Sequence, residues 1–274
     1  LLSGKAQVAS DLGGAGRRRL AGETTITCVD HLSPTAIIYL LNAARGPLRD
    51  SRVRRALNLA LDRAALVESV LGGAGEPLCG FVSPMHFGAI GDTSALGRDL
   101  DTALRLLGEA GWSDGLALDV DCPTHLPDEA EALTGAVASQ LAEVGVSLNV
   151  HRVEDRTAYA NQVRLKQIYD LCVFDSSPMS TFRVLYEKID ARVAGSWWQG
   201  YHSSEAETLL DRARTTVDDG EREALYRRCY GVLRNDPPWL YLYNHRRFVG
   251  LSGVHRDWRM RADGVLDVAT LPRF

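Results

Sequence analysis

The residues with chemical potential in this 274-residue chain cluster between positions 169 and 201. An acid, Asp175, is followed by the hydroxyls of Ser176, Ser177, Ser180 and Thr181 and then by two indoles, Trp197 and Trp198. A carboxylate takes up an ammonium or another N–H donor, and small hydroxyls both give and accept hydrogen bonds. Indole faces stack on sugars or on side chains. Together these groups suit the capture of a polar small molecule. His86, with Met85 and Phe87, lies in a long Gly-, Pro- and Ser-rich loop over 76–96 and is a further ligand-facing candidate, since loops of that length are often functional. Each candidate has a structural alternative. Asp175 can close an Asx turn, the hydroxyls can cap the next helix, one tryptophan can belong to the core, and the 76–96 loop can be a tied-down surface excursion.

The elements that must position these groups follow from local pattern. Residues 169–174 are an apolar run that reads as a buried strand, stopped by Asp175-Ser176-Ser177-Pro178. A helix over 181–189 follows, with Ser180 or Thr181 as its N-cap. The polar groups therefore stand at the C-terminal end of a strand and the N-terminus of a helix, where open α/β sheets bind ligands. Upstream, the pattern predicts a strand at 116–121 and a helix at 127–144 that starts on Pro127 and ends at Gly145. A strand at 146–153 and a helix at 155–165 complete the approach. The result is a β-α-β-α-β unit with parallel strands and right-handed crossovers, and the fold class is α/β.

The flanks are less regular. Residues 1–12 read as a short helix or a strand pair, 13–16 (GGAG) as a flexible turn, and 24–30 and 36–41 as two strands. Asp50 or Ser51 caps a helical pattern through 71, with Asp62 capping a second helix inside it. Arg52, Arg54, Arg55, Asn58 and Arg63 are expected mostly on its polar face. A helix over 203–214, capped by Ser203 or Ser204, carries Glu207 as the partner of a capping box from Ser204. A helix over 219–234 is broken by Pro237-Pro238, an aromatic strand occupies 239–243, and 248–274 holds short strand-like pieces.

Composition narrows the function. Hydrophobic residues make up 45% and charged residues 24%, enough for a sizeable core in one large or two modest domains. With a net charge of -4 and no long Lys/Arg block, a nucleic-acid partner is not expected. No apolar run reaches membrane-spanning length, and the first residues lack a signal-peptide pattern. The five cysteines are scattered without a CxxC pair, and the seven histidines lack metal-ligand spacing, so neither metal nor cofactor is expected. The cysteines leave room for one disulfide whose partners the sequence does not assign. No nucleophile elbow, phosphate-binding lysine loop, HExxH or dinucleotide fingerprint is present. Asp170 and Asp175, five apart on a strand, point to opposite faces and make a poor acid–base pair. The chain is read as a non-enzyme.

Several phrases, in order, carry a resemblance. Residues 47–63 (PLRDSRVRRALNLALDR), 103–112 (ALRLLGEAGW), 140–146 (QLAEVGV), Tyr169-Asp170, Gly200-Tyr201 and 236–243 (DPPWLYLY) resemble the family 5 extracellular solute-binding proteins of ABC importers, the peptide- and nickel-binding class. The resemblance implies a periplasmic binding protein-like lobe of type II with the β-α-β-α-β core, plus segments of a partner lobe. It implies that 1–45 end the first lobe and cross over, that 46–243 form the second ligand-binding lobe, and that 244–274 return to the first. The chain would then be the C-terminal part of a longer protein. It would be a monomer in the periplasm or outside the cell, membrane-associated through a lipid in some cases. It would hold a peptide or similar polar solute in an interlobe cleft and deliver it to the permease subunits. By the same resemblance Asp175 stands for the acid that pairs with a peptide ammonium, and Phe182 for the aromatic that opens the next helix. The family's Trp-x-x-Asp and Asp-Pro are absent from this shorter loop. Peptide, sugar derivative, opine-like compound and metal complex stay open as ligands, and a ligand-sensing regulatory domain or an α/β enzyme stand as other readings.

Overall fold

The structure, a computed structural model, describes residues 1–90, 96–124, 127–176, 180–255, 257, 258, 261 and 267–271. Ser177 lies outside the described residues. Strand β1 (Val8–Leu12) leads directly into helix α1 (Gly14–Leu20), so the glycines at 13–16 open a helix instead of the expected flexible turn. Glycine is needed there for closeness: a Cβ on Gly14 would lie 2.9 Å from the Leu71 carbonyl oxygen.

The two strands expected at 24–30 and 36–41 are one, β2 (Ile26–Leu41). Its pairing shifts register between Leu32 and Ala36, an irregularity that accommodates Pro34 without breaking the strand. Helices α2 (Ser51–Leu59) and α3 (Arg63–Leu71) follow, capped by the side chains of Asp50 and Asp62 as the pattern predicts. The polar face expected on them is not solvated throughout, for Arg54, Asn58 and Arg63 are buried. Arg54 donates to the carbonyls of Leu48, Arg49 and Pro237 and pairs with Asp236. Arg63 donates to the carbonyls of Tyr241, Leu96, Leu61 and Asn58. A buried guanidinium survives only when its donors are satisfied, and here these residues pin distant backbone.

Strand β3 (Gly75–Pro77) and helix α4 (Leu100–Glu109) precede the central unit. This runs β4 (Leu116–Pro123), α5 (Ala130–Ala142), β5 (Val146–Val153), α6 (Arg156–Arg164) and β6 (Leu171–Ser176). Strand β4 pairs in parallel with both β5 and β6, as the β-α-β-α-β pattern requires. Helix α7 (Thr181–Lys188) comes next, then α8 (Ser204–Thr215) and α9 (Asp219–Asn235). Ser203 caps α8, so the capping box from Ser204 does not form, and Glu207 turns inward to accept from the Ala191 amide. The last strand, β7 (Trp239–Ser252), unites the aromatic strand with the first strand-like piece of the tail.

Among the described residues one seven-stranded sheet has the order β1-β7-β2-β6-β4-β5, with β3 also on β7. Side-chain alternation sends Ile37, Tyr39, Leu41, Leu171, Val173, Leu240 and Leu242 to one face, packed by α2 to α5. It sends Ala36, Ile38, Leu40, Cys172, Trp239 and Tyr241 to the other, packed by α6 to α9. A small third cluster around Val249, Leu251 and Trp258 covers the far end of β2 and β7. All five cysteines are free thiols.

Candidate functional site

The alternation that builds the core also divides the candidate residues. Asp175 shares parity with Leu171 and Val173 and pairs with Ile37 across β2, so it extends the face covered by α5. Beside it is a cavity of about 260 Å³ lined by Ser33, Thr35 and Ile37 of β2, Pro127, Asp128 and Glu129 before α5, and His245 and Arg247 of β7. It sits where β2 changes register and where β6 ends.

Glu129 is the organising acid of this cavity. It occupies the N-cap position of α5 but makes no side-chain cap. Its carboxylate turns to β7 instead: Oε1 accepts from the Tyr243 hydroxyl at 3.0 Å and lies 2.6 Å from His245 Nε2. Burial pushes the Glu129 carboxyl up, but the hydrogen bonds from His245 and Tyr243 and the charge of His245 outweigh it and hold it below the usual carboxylate range. Arg247 is drawn away toward Asp11, 3.5 Å from its Nε. The cavity wall is thus polar and carries more acid than base. Sequence reasoning missed Glu129, His245 and Thr35, because a helix-start acid and a strand histidine carry no signal until two elements meet. The 2.0 alternation of 33, 35 and 37 is the one clue that could have been read.

The other candidates lie on the opposite face or outside this cavity. Ser176 is buried, and its hydroxyl accepts from the ammonium of Lys188 at 3.0 Å. Ser180 caps α7 by accepting from the Arg183 amide. The Thr181 hydroxyl donates to the Phe87 carbonyl at 3.0 Å. His86 is buried with Nδ1 3.2 Å from the Ser83 carbonyl oxygen. Trp197 packs on Phe174 with ring centroids 4.5 Å apart, and Trp198 donates its indole N–H to the Tyr201 carbonyl at 2.5 Å. The structure therefore brings Asp175 to the cavity and gives these six side chains partners within the fold. Among the described residues no group of three or more His, Cys, Asp or Glu is placed to hold a metal ion. No helix among them is long and apolar enough to cross a membrane.

The profile of the bacterial extracellular solute-binding proteins, family 5 (middle part), matches residues 1–183, two thirds of the chain. The chain belongs to this family. It is 25% identical over 206 residues to the dipeptide-binding protein of Escherichia coli K12, a match over 73% of this chain and 38% of that protein. Among solved structures, HbpA2 of Haemophilus parasuis superposes with a TM-score of 0.85 at 17% identity, over 96% of this chain and 52% of the other. The oligopeptide-binding protein AppA of Bacillus subtilis, solved with a nonapeptide, gives 0.80 at 19% identity, over 99% of this chain and 57% of the other. The α/β fold, with its β-α-β-α-β core, is that of the family's type II periplasmic binding proteins. The chain spans between about two fifths and somewhat over half of the length of these relatives.

Proposed function

We propose that this chain is the C-terminal portion of the substrate-binding component of an ABC importer. It binds a peptide or similar polar solute and hands it to the membrane permease, without catalysis. The observation that carries the reading is the cavity at Asp175, where β2 and β7 change register on leaving the large clusters. In this reading residues 46–243 form one ligand-binding lobe. Residues 1–45 and 244–274 belong to the other, so the shared strands act as the connection between them. The ligand lies between the lobes, with Asp175 taking an ammonium or other N–H donor by a charge-assisted hydrogen bond worth about 1.5–3 kcal/mol. The protein works as a monomer outside the cytoplasmic membrane, held near the permease by a lipid anchor where one is present.

The experiment is thermal unfolding of this chain and of the full-length gene product against short peptides, sugar derivatives, opine-like acids and nickel complexes. A ligand that binds only the folded state raises the melting temperature by mass action. A shift with peptides in the full-length protein that Asp175→Asn removes supports the reading. An equal shift in the short chain alone contradicts a site shared between lobes.

A further inference from the structure

Glu129 has an unequal pair of oxygens. The two side-chain hydrogen bonds it accepts, from Tyr243 and from His245, both end on Oε1, and its own backbone amide is a third donor to the carboxylate. A carboxylate has about four acceptor sites, so with these three donors on it about one acceptor position is left for a group in the cavity. The side chain is only 17% exposed and His245 9%, so this is a held group and not a solvated surface acid. The cavity also receives Asp175 from β6 and Asp128 from the turn before α5, against His245, already on Glu129, and Arg247, already turned to Asp11.

We propose that Glu129, positioned by His245 and Tyr243, is a specificity-determining residue that selects solutes carrying a second cationic nitrogen group, an amine or a guanidinium, beyond the one taken by Asp175. This rests on the reading of the cavity as the ligand site. One carboxylate is enough for a single ammonium. Two held carboxylates on walls contributed by different elements suit either two amines on one short chain or a guanidinium, whose donors are spread over a plane. The two hydrogen bonds on Oε1 fix the rotamer of Glu129 before any ligand arrives, so binding costs little further ordering of that side chain. Thr35 and Ser33 supply uncharged hydroxyls on the β2 wall, which complete the hydrogen bonding of a multi-donor group without cancelling the negative charge.

The test uses the full-length gene product, titrated calorimetrically with the tripeptides Ala-Lys-Ala and Ala-Gln-Ala and separately with cadaverine. Ala-Lys-Ala is expected to bind about tenfold tighter than Ala-Gln-Ala, the advantage shrinking with added salt, as for a charge-assisted pair at a partly open site. Glu129→Gln brings that ratio to near one. Thr35→Lys, which places a competing ammonium on the opposite strand wall, does the same and serves if Glu129→Gln fails to fold. A ratio unchanged in the folded variants overturns the inference while leaving the peptide reading intact. If neither tripeptide binds, the peptide reading falls and cadaverine decides the inference alone. Saturable binding lost in Glu129→Gln then supports it, and no binding at millimolar concentration overturns it.

Discussion

Lys188 donates its ammonium to the Ser176 hydroxyl at 3.0 Å, with the Trp239 ring 5.6 Å away. This joins the last turn of α7 to the end of β6 and buries a cation among aromatic side chains. Burial pushes the Lys188 pKa down to about 8 from 10.5, although Asp175 pulls the other way. Between those values the folded chain has released the proton while the unfolded chain still holds it. Unfolding therefore takes up a proton, and stability rises with pH across that window. The wild-type chain is expected to gain on Lys188→Met by up to about 3 kcal/mol between pH 7 and 10.5, at 1.36 kcal/mol per unit. Urea melts of both proteins at three pH values measure the gap, and a gap independent of pH would refute a buried ammonium.

Arg63 is held by backbone and not by a carboxylate. Its Nε lies 2.6 Å from the Tyr241 carbonyl oxygen and Nη1 2.9 Å from that of Leu96, and burial lowers its pKa to about 10. Lysine has one donor head and cannot reach acceptors spread around a plane. Arg63→Lys is expected to cost about 2–4 kcal/mol through carbonyls left unpaired in the interior. The readout is a lower urea midpoint with an unchanged slope.

Gly200 has a φ of +88°, and a Cβ there would meet the Ala44 amide nitrogen at 2.4 Å. Both the left-handed backbone and the backbone-to-backbone approach exclude a side chain. Gly200→Ala should lower the melting temperature by several degrees, since about 2 kcal/mol moves a chain of this size by roughly 4–8 °C. Calorimetry checks it, and an unchanged melting temperature would contradict the contact between the 199–201 turn and residues 43–44.

Asp175 and Trp197 lie on opposite faces of the sheet and should separate cleanly. Asp175→Asn is expected to weaken binding of an ammonium-bearing peptide by about tenfold or more with little loss of stability. Trp197→Leu strips the packing from Phe174 and should cost about 1–3 kcal/mol while changing the dissociation constant less than about twofold. Calorimetric titration and thermal melts of the two variants decide it. The opposite assignment of effects would put the ligand on the α6 to α9 face.

Period and caps carried much of the fold into the sequence. The alternation over β4, β5 and β6, Asp50 and Asp62 at their helix starts, and Ser203 before α8 are all local signals, and local signals survive without tertiary context. What local pattern could not show was tertiary. The apolar stripe of α2 and α3 suggested a solvated arginine face, yet Arg54 and Arg63 reach carbonyls near positions 237 and 241. Residues 24–30 and 36–41 read as two strands, because the register shift that carries β2 past Pro34 exists only once β7 is alongside. At the site, the acid Asp175 was legible from its place after an apolar run. Which face it takes was fixed by strand parity, and parity separated it from Ser176 and from Phe174, on which Trp197 packs. Glu129 and His245 sit 116 positions apart, and nothing local links them.

The pairing of β2 with β7 has a consequence for how the molecule is made. These strands stand side by side inside the sheet, with β6, β4 and β5 beyond one and β1 beyond the other. The first is synthesised about two hundred residues before the second, so an interior seam stays open while the residues between them are made. Until Trp239 and the residues after it emerge, β2 presents an open apolar edge on the nascent chain, the kind of edge that recruits the wrong strand. Closing that seam joins residues more than two hundred positions apart in sequence, a slow search on the folding timescale. A ribosome stalled short of β7 would therefore leave a chain whose helices are formed but whose sheet invites aggregation.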